Sequence, residues 1–297
     1  MYIDIAVNLT DEMFDGVYHG KPRHESDRAA VVTRAFASGC THLILLAGSL
    51  NDADACAAMC AQSESLFTTI GVHPTRCSTL LETSEIALQN RFDNFLKTNP
   101  KAIAIGEIGL DYDRLHFCEK HVQIAGFETQ LKLASKFEYP LVLHLRNAFE
   151  DFVEIMQRTC AGWKRNGAVV HSFTGTRKEM EQLTNMGLYI GLNGCSLRDP
   201  EFLQNVVPHI PEELILFETD SPYCDIKPRH PGWAYLLQNP ITTCKPDKWV
   251  PNTFVKNRNE PALINQVALV VGKARDKDIT HIVHANTLRL FKKLVRK

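Results

Sequence analysis

The stretch Ala102-Ile103-Ala104-Ile105-Gly106-Glu107-Ile108-Gly109-Leu110-Asp111-Tyr112 decides how the chain is read. Its first residues are apolar and partly β-branched, as a strand buried on both faces must be. The pattern predicts a strand that stops at Gly106 with Glu107 at its carboxyl end. A carboxylate there is either solvated in a glycine-rich turn or placed for chemistry, and the neighbouring strands have to decide between the two.

Working outward, the same unit recurs. Upstream, the pattern predicts strands over 2–8, 43–47 and 66–72, helices over 27–38, 51–63 and 82–98, and a loop over 14–26. Downstream it predicts helices over 122–138, 149–159 and 178–186, with strands over 140–143, 168–170, 188–192 and 214–217. Eight strands alternating with helices predict a (β/α)8 TIM barrel formed as one domain over 1–297, in preference to an open doubly wound sheet. Past Asp220, Pro222, Pro228, Pro231, Pro240, Pro246 and Pro251 mark a long final loop, and closing helices follow over 261–271 and 278–294.

Composition narrows the function. A net charge of -1 on 297 residues provides no global basic field, so contact with a polyanion must come from local Lys/Arg groups. The nine cysteines are scattered without a CxxC pair, which reads as reduced thiols inside the cell, in cytoplasm or nucleus. No apolar run approaches a membrane-spanning length, and Met1 leads into the first strand without a signal-like segment.

His73, Glu107, His144, His171 and Asp220 all fall at predicted strand ends, which a barrel gathers around one mouth. A single histidine there is usually a core residue; three imidazoles and two carboxylates at equivalent positions point to a site. Such mixed N/O donors suit Mg²⁺, Mn²⁺ or Zn²⁺, as one or two ions, and a bound ion acidifies water for hydrolysis. Glu107 and Asp220 are the carboxylates able to bridge two ions.

The segments Asp4-Ile5-Ala6-Val7-Asn8-Leu9-Thr10, Gly71-Val72-His73-Pro74, Gly106-Glu107-Ile108-Gly109-Leu110-Asp111-Tyr112, Leu143-His144-Leu145-Arg146, His171-Ser172-Phe173-Thr174-Gly175 and Glu218-Thr219-Asp220-Ser221-Pro222 together resemble the TatD family of metal-dependent deoxyribonucleases. Asn193-Gly194-Cys195-Ser196-Leu197 and Arg258-Asn259-Glu260-Pro261 are similar to its eukaryotic branch. The resemblance implies an amidohydrolase-type barrel that cleaves DNA phosphodiesters as a 3'-5' exonuclease on single-stranded or nicked DNA, in repair or degradation. It also implies Mg²⁺ or Mn²⁺, with Zn²⁺ as the alternative, on Glu107, His144, His171 and Asp220. Glu107 and Asp220 are then catalytic, with His73 beside the scissile phosphate as acid or phosphate-binding group.

One departure is visible. Many relatives carry His-x-His at the end of the first strand, where this chain has Ala6 and Asn8, so one metal position should be weaker. Arg146, Asn8 and Arg258 are the expected substrate contacts, with Arg114, Arg229 and His230 on neighbouring loops. Tyr112, Phe173, Tyr223 and Trp233 are available to stack on bases. Asp111 and Glu218 are candidates to steer the imidazoles. Strand alternation is taken to turn Glu218 away from the side of Asp220, which favours simple solvation for it. The expected partner is DNA, with no membrane, and a monomer is favoured. Hydrolysis of another ester, such as the D-aminoacyl-tRNA linkage, and a non-catalytic scaffold are the competing readings.

Overall fold

The computed structural model describes residues 1–237 and 241–295, without the side chains at 160 and 161, so Pro240 of the predicted loop lies outside the described residues. Eight parallel strands follow one another in chain order around a barrel: β1 (Tyr2–Val7), β2 (Cys40–Leu45), β3 (Leu66–Ile70), β4 (Ala102–Asp111), β5 (Leu141–Arg146), β6 (Ala168–Val170), β7 (Tyr189–Leu192) and β8 (Ile215–Phe217). Helices α1 (Arg28–Ala37), α2 (Leu50–Cys60), α3 (Glu85–Thr98), α4 (Lys120–Ala134), α5 (Phe149–Arg158), α6 (Cys160–Asn166), α7 (Arg177–Asn185), α8 (Pro200–Asn205), α9 (Ile264–Ala274) and α10 (Thr280–Leu290) lie in the connections and after the last strand.

Side chains that alternate along a strand sort into two layers. Ile3, Ile44, Phe67, Ile103, Val142, Val169, Tyr189 and Leu216, one from each strand, form a single buried cluster, as a filled barrel interior requires. Leu290 and Phe291 join this cluster; Leu290 lies against Gly167, at the amino-terminal end of β6. The residues between them, such as Leu43, Leu45, Leu141 and Leu143, pack outward into the larger core under the helices.

The opening strand differs from its prediction. Instead of stopping at Gly106, β4 runs on to Asp111. Ile105 pairs with Leu141 and Ile108 with Leu143, so β4 carries one extra residue in that interval. This is a β-bulge, a device that re-aims a side chain. Gly106 permits it, since a Cβ there would sit 2.5 Å from the Val142 carbonyl oxygen. Gly109 has the same duty against His144, whose carbonyl oxygen would be 2.0 Å from an added Cβ. The two glycines that read as a turn are therefore a close approach of β4 to β5.

The two predicted loops contain further structure. Val17–Tyr18 pairs antiparallel with Lys21–Pro22, and in the long final segment Thr243–Cys244 pairs with Phe254–Val255.

Backbone bonds from Asp220 N–H to the Ala6 carbonyl (2.9 Å) and from Asn8 N–H to the Ser221 carbonyl (2.8 Å) join the chain beyond β8 to β1. Asp4 lies fully buried at this seam. Its carboxyl accepts from the Thr219 hydroxyl (2.5 Å), the Thr219 N–H (2.9 Å) and the Ala6 N–H (3.2 Å). Burial nevertheless pushes this carboxyl up to about 8, against 3.8 for the ordinary group. The folded state thus favours the protonated form: its contribution is complete below about pH 4 and is lost as pH rises to about 8. Asp4→Asn retains an acceptor and a donor there. Its stability relative to wild type should climb between pH 5 and 8, by at most about 1.4 kcal/mol per pH unit, and then level off, with the melting temperature following. A difference that stays flat across thermal melts in that range would contradict the account.

Candidate metal centre

Because positions two apart on a strand share a face, the interior cluster also fixes what lies above it. Val142 leads to His144, Val169 to His171, and Leu216 to Glu218 and then Asp220. The β4 bulge brings Glu107 to the same place. His144 Nδ1 lies 2.7 Å, and His171 Nε2 2.6 Å, from the same oxygen of Glu107, Oε1. His73 Nε2 is 3.6 Å from that oxygen. All three residues of the Glu107, His144 and His171 group are buried, and their donor atoms fall within 4.8 Å of one another; His73, Asp111 and His144 form a second such group.

Supporting contacts fix these rings. Asp111 Oδ2 sits 3.0 Å from His144 Nε2. His73 Nδ1 accepts from the Thr75 N–H at 3.2 Å, which leaves the proton on Nε2, the nitrogen facing Glu107. Glu218 corrects its expectation. It is fully buried, on the same face as Asp220, and its Oε1 accepts from the Ser172 N–H (2.7 Å) and Asn193 Nδ2 (2.8 Å) while facing His171 Nδ1 at 3.5 Å. A carboxylate behind an imidazole holds the ring so that the opposite nitrogen faces the site. Asn193 and Ser172 were missed as parts of this support, since what joins them is the buried Glu218 carboxylate from a different strand end.

Asp220 stands at the edge of this cluster. Its Oδ1 accepts from Asn8 Nδ2 at 2.9 Å and its Oδ2 from the Cys224 thiol at 3.3 Å. The Asn8 amide is therefore engaged on Asp220. Electrostatics separate the two carboxylates. Burial would raise the Glu107 carboxyl, but the imidazoles of His171 and His73 override it and hold the group well below the usual range. Burial pushes Asp220 up to about 6 despite His171. Burial disfavours the charged form of His171, yet Glu107 and Glu218 raise it well above an ordinary imidazole. His73 is driven down to about 4 by burial, in spite of Glu107.

His73, Glu107, Asp111, His144, His171 and Asp220 line a cavity of about 800 Å³ at the carboxyl end of the barrel, with Asn8, Arg76, Arg114, Arg146 and Tyr223 also on its walls. Arg146 is shared with an adjoining cleft of about 430 Å³. Arg76 was not foreseen, although it follows His73-Pro74 by two residues. Arg258 is a correction: it is 2% exposed and bound to Asp27 and Glu260, away from the cavity. Arg229 and His230 do not line the cavity either. Phe173 is buried in the core and cannot stack on a base, Trp233 packs against the same core, and the Tyr112 hydroxyl donates to Asp151.

The donor chemistry fits a divalent cation. Two imidazole nitrogens and an anionic carboxylate oxygen converge in a buried site, a set matching borderline and hard ions. Comparison with known proteins gives the chain a family. The model of the family described as TatD related DNase matches residues 3–292. The chain belongs to the TatD family. The Deoxyribonuclease Tat-D of Schizosaccharomyces pombe is 36% identical over 301 residues, spanning 98% of this chain and 96% of that protein. A bacterial relative from Escherichia fergusonii, named 3'-5' ssDNA/RNA exonuclease TatD, is 32% identical over 93% of this chain and 92% of its own length. Among solved structures, a hydrolase TatD family protein from Entamoeba histolytica superposes with a TM-score of 0.90 at 36% identity, covering 98% of this chain and 97% of that one. The TatD fold, an amidohydrolase-type barrel, agrees with the expectation from sequence. No helix among the described residues is long and apolar enough to cross a membrane.

Proposed function

We propose that this chain is a divalent-metal-dependent deoxyribonuclease that removes nucleotides from the 3' end of single-stranded or nicked DNA, acting as a monomer in the cytoplasm or nucleus. The observation that carries the reading is the convergence of Glu107, His144 and His171 at the base of a cavity walled by Arg76, Arg114 and Arg146. The name of the bacterial relative supports the polarity and the strand preference.

In this reading Glu107, His144, His171 and Asp220 hold Mg²⁺ or Mn²⁺, with Zn²⁺ as the third candidate; titration with each ion gives the stoichiometry, one or two. When bound, the ion neutralises phosphate charge and acidifies water. Asp220, aligned by Asn8, orients the attacking water and takes its proton. His73, which carries its proton on Nε2 and lies beside Glu107, binds the scissile phosphate as a donor. Arg146 grips a non-bridging phosphate oxygen with its guanidinium fork. Retention of Glu107, His144, His171 and Asp220, despite Ala6 and Asn8 on the first strand, favours an enzyme over a scaffold.

End-labelled and circular DNA, and matching RNA, incubated with each ion or with chelator, test the reading. Ladders shortening from the 3' end, abolished by chelator, are expected; inertness with every ion would refute it. Arg146→Ala should weaken single-stranded DNA binding and lower its salt slope by about 1. An unchanged slope would remove Arg146 from the substrate path.

A further inference from the structure

Two thiols at the rim of the cavity take no part in the proposed reaction. Cys195 follows β7 and Cys224 follows β8, and the two segments touch: a side chain on Gly194 would meet the Cys224 carbonyl oxygen at 2.1 Å. Cys195 is the residue after Gly194 and so lies beside the Cys224 backbone, and both cysteines line the 800 Å³ cavity. Cys224 Sγ also donates to Asp220 Oδ2 at 3.3 Å. The other cysteines with described side chains are placed differently. Cys40, Cys56, Cys60, Cys77 and Cys118 are buried, and Cys244 is engaged with the Thr253 hydroxyl and the Phe254 carbonyl.

We infer that Cys195 and Cys224 are a redox modification site, converted to a disulfide by a small hydroperoxide entering the cavity, and that this oxidation silences the site around Asp220. With the Cys224 S–H engaged on Asp220, the Cys195 sulfur attacks the peroxide O–O bond. A sulfenic acid forms on Cys195 and water, or the corresponding alcohol, leaves. The Cys224 sulfur then displaces the sulfenic hydroxyl as water, closing the S–S bond. The peroxide gains the two electrons that the thiols lose, and both thiol protons leave in the two products. A dithiol reductant reverses the change. In the disulfide, Cys224 has no hydrogen to give Asp220, which keeps only the Asn8 contact.

The modification is independent of the substrate, whereas its effect on turnover rests on the deoxyribonuclease reading. The experiment separates them. The full-length reduced chain is treated with hydrogen peroxide, digested without reductant and weighed by mass spectrometry. A linked pair of peptides containing Cys195 and Cys224, lighter by two hydrogen atoms and separated by dithiothreitol, is expected. Over the same interval DNA cleavage should fall by about 10-fold or more and return with dithiothreitol. Cys195→Ser should form no link and keep its reduced-state activity after peroxide. The inference is overturned if the link is absent from wild type, if the link forms instead between Cys77 and Cys118, or if Cys195→Ser is inactivated as fast as wild type. A wild-type chain that forms the link but never cleaves nucleic acid refutes the proposed function and the silencing, while the modification site stands.

Discussion

Glu107→Gln will lower divalent-ion-dependent DNA cleavage by about 10³-fold or more, the loss that follows when several kcal/mol of electrostatic stabilisation are withdrawn from a reacting phosphate. The substitution keeps the shape of the side chain and removes its charge. In the native site one oxygen of Glu107 faces both His144 and His171, so a single change disturbs every nitrogen around it. A neutral amide is a poorer ligand than a carboxylate, and its NH₂ group competes with the imidazoles for the position it should leave to a cation. No first-strand donor is there to compensate, because Ala6 offers none and the Asn8 amide is committed to Asp220. Calorimetric titration with Mn²⁺ should show weakened binding while circular dichroism stays that of wild type. Turnover within tenfold of wild type would remove Glu107 from the centre of the site.

Most of this centre was legible because barrel geometry converts a one-dimensional pattern into a shared mouth. Val142 with His144, and Val169 with His171, announce themselves by alternation, and the βα repeat states that their strand ends meet. What stayed hidden depends on features without a local signature. The continuation of β4 to Asp111 was masked because Gly106 and Gly109 look like a turn, when their absent side chains are needed for the approach of β5. Glu218 was misjudged on a point the sequence contains: it is two residues from Asp220 and so shares its face. Its partners Ser172 and Asn193 come from other strand ends, 46 and 25 residues away, beyond the reach of periodicity. Phe173 was assigned to the mouth by its motif, yet the strand end buries it against Phe202.

Arg258 separates a residue that binds substrate from one that holds the fold, and its removal should cost stability rather than affinity. A loop arginine near the barrel mouth reads as a substrate contact, but its partner Asp27 is 231 residues away at the start of α1. The guanidinium grips Asp27 with two parallel bonds of 2.6 Å, reaches Glu260 Oε1 at 2.9 Å and the Met13 carbonyl at 3.1 Å, and lies 5.2 Å over the Phe14 ring. Arg34 binds the same Glu260 from α1 at 2.8 Å, tying the end of the final loop to the first helix. Arg258→Ala leaves two buried carboxylates with a single cation between them, which costs about 3–5 kcal/mol because neither is resolvated. The melting temperature should fall by roughly 5–15 °C. The double change Arg258→Met with Asp27→Asn should recover part of that loss, since it removes the stranded charge together with its partner. At a temperature where Arg258→Ala is still folded, its affinity for single-stranded DNA should match wild type. Arg146→Ala should show the converse, weaker binding with an unchanged melting temperature. A rise in KM without thermal destabilisation would return Arg258 to the mouth and overturn the assignment of this cluster to the fold.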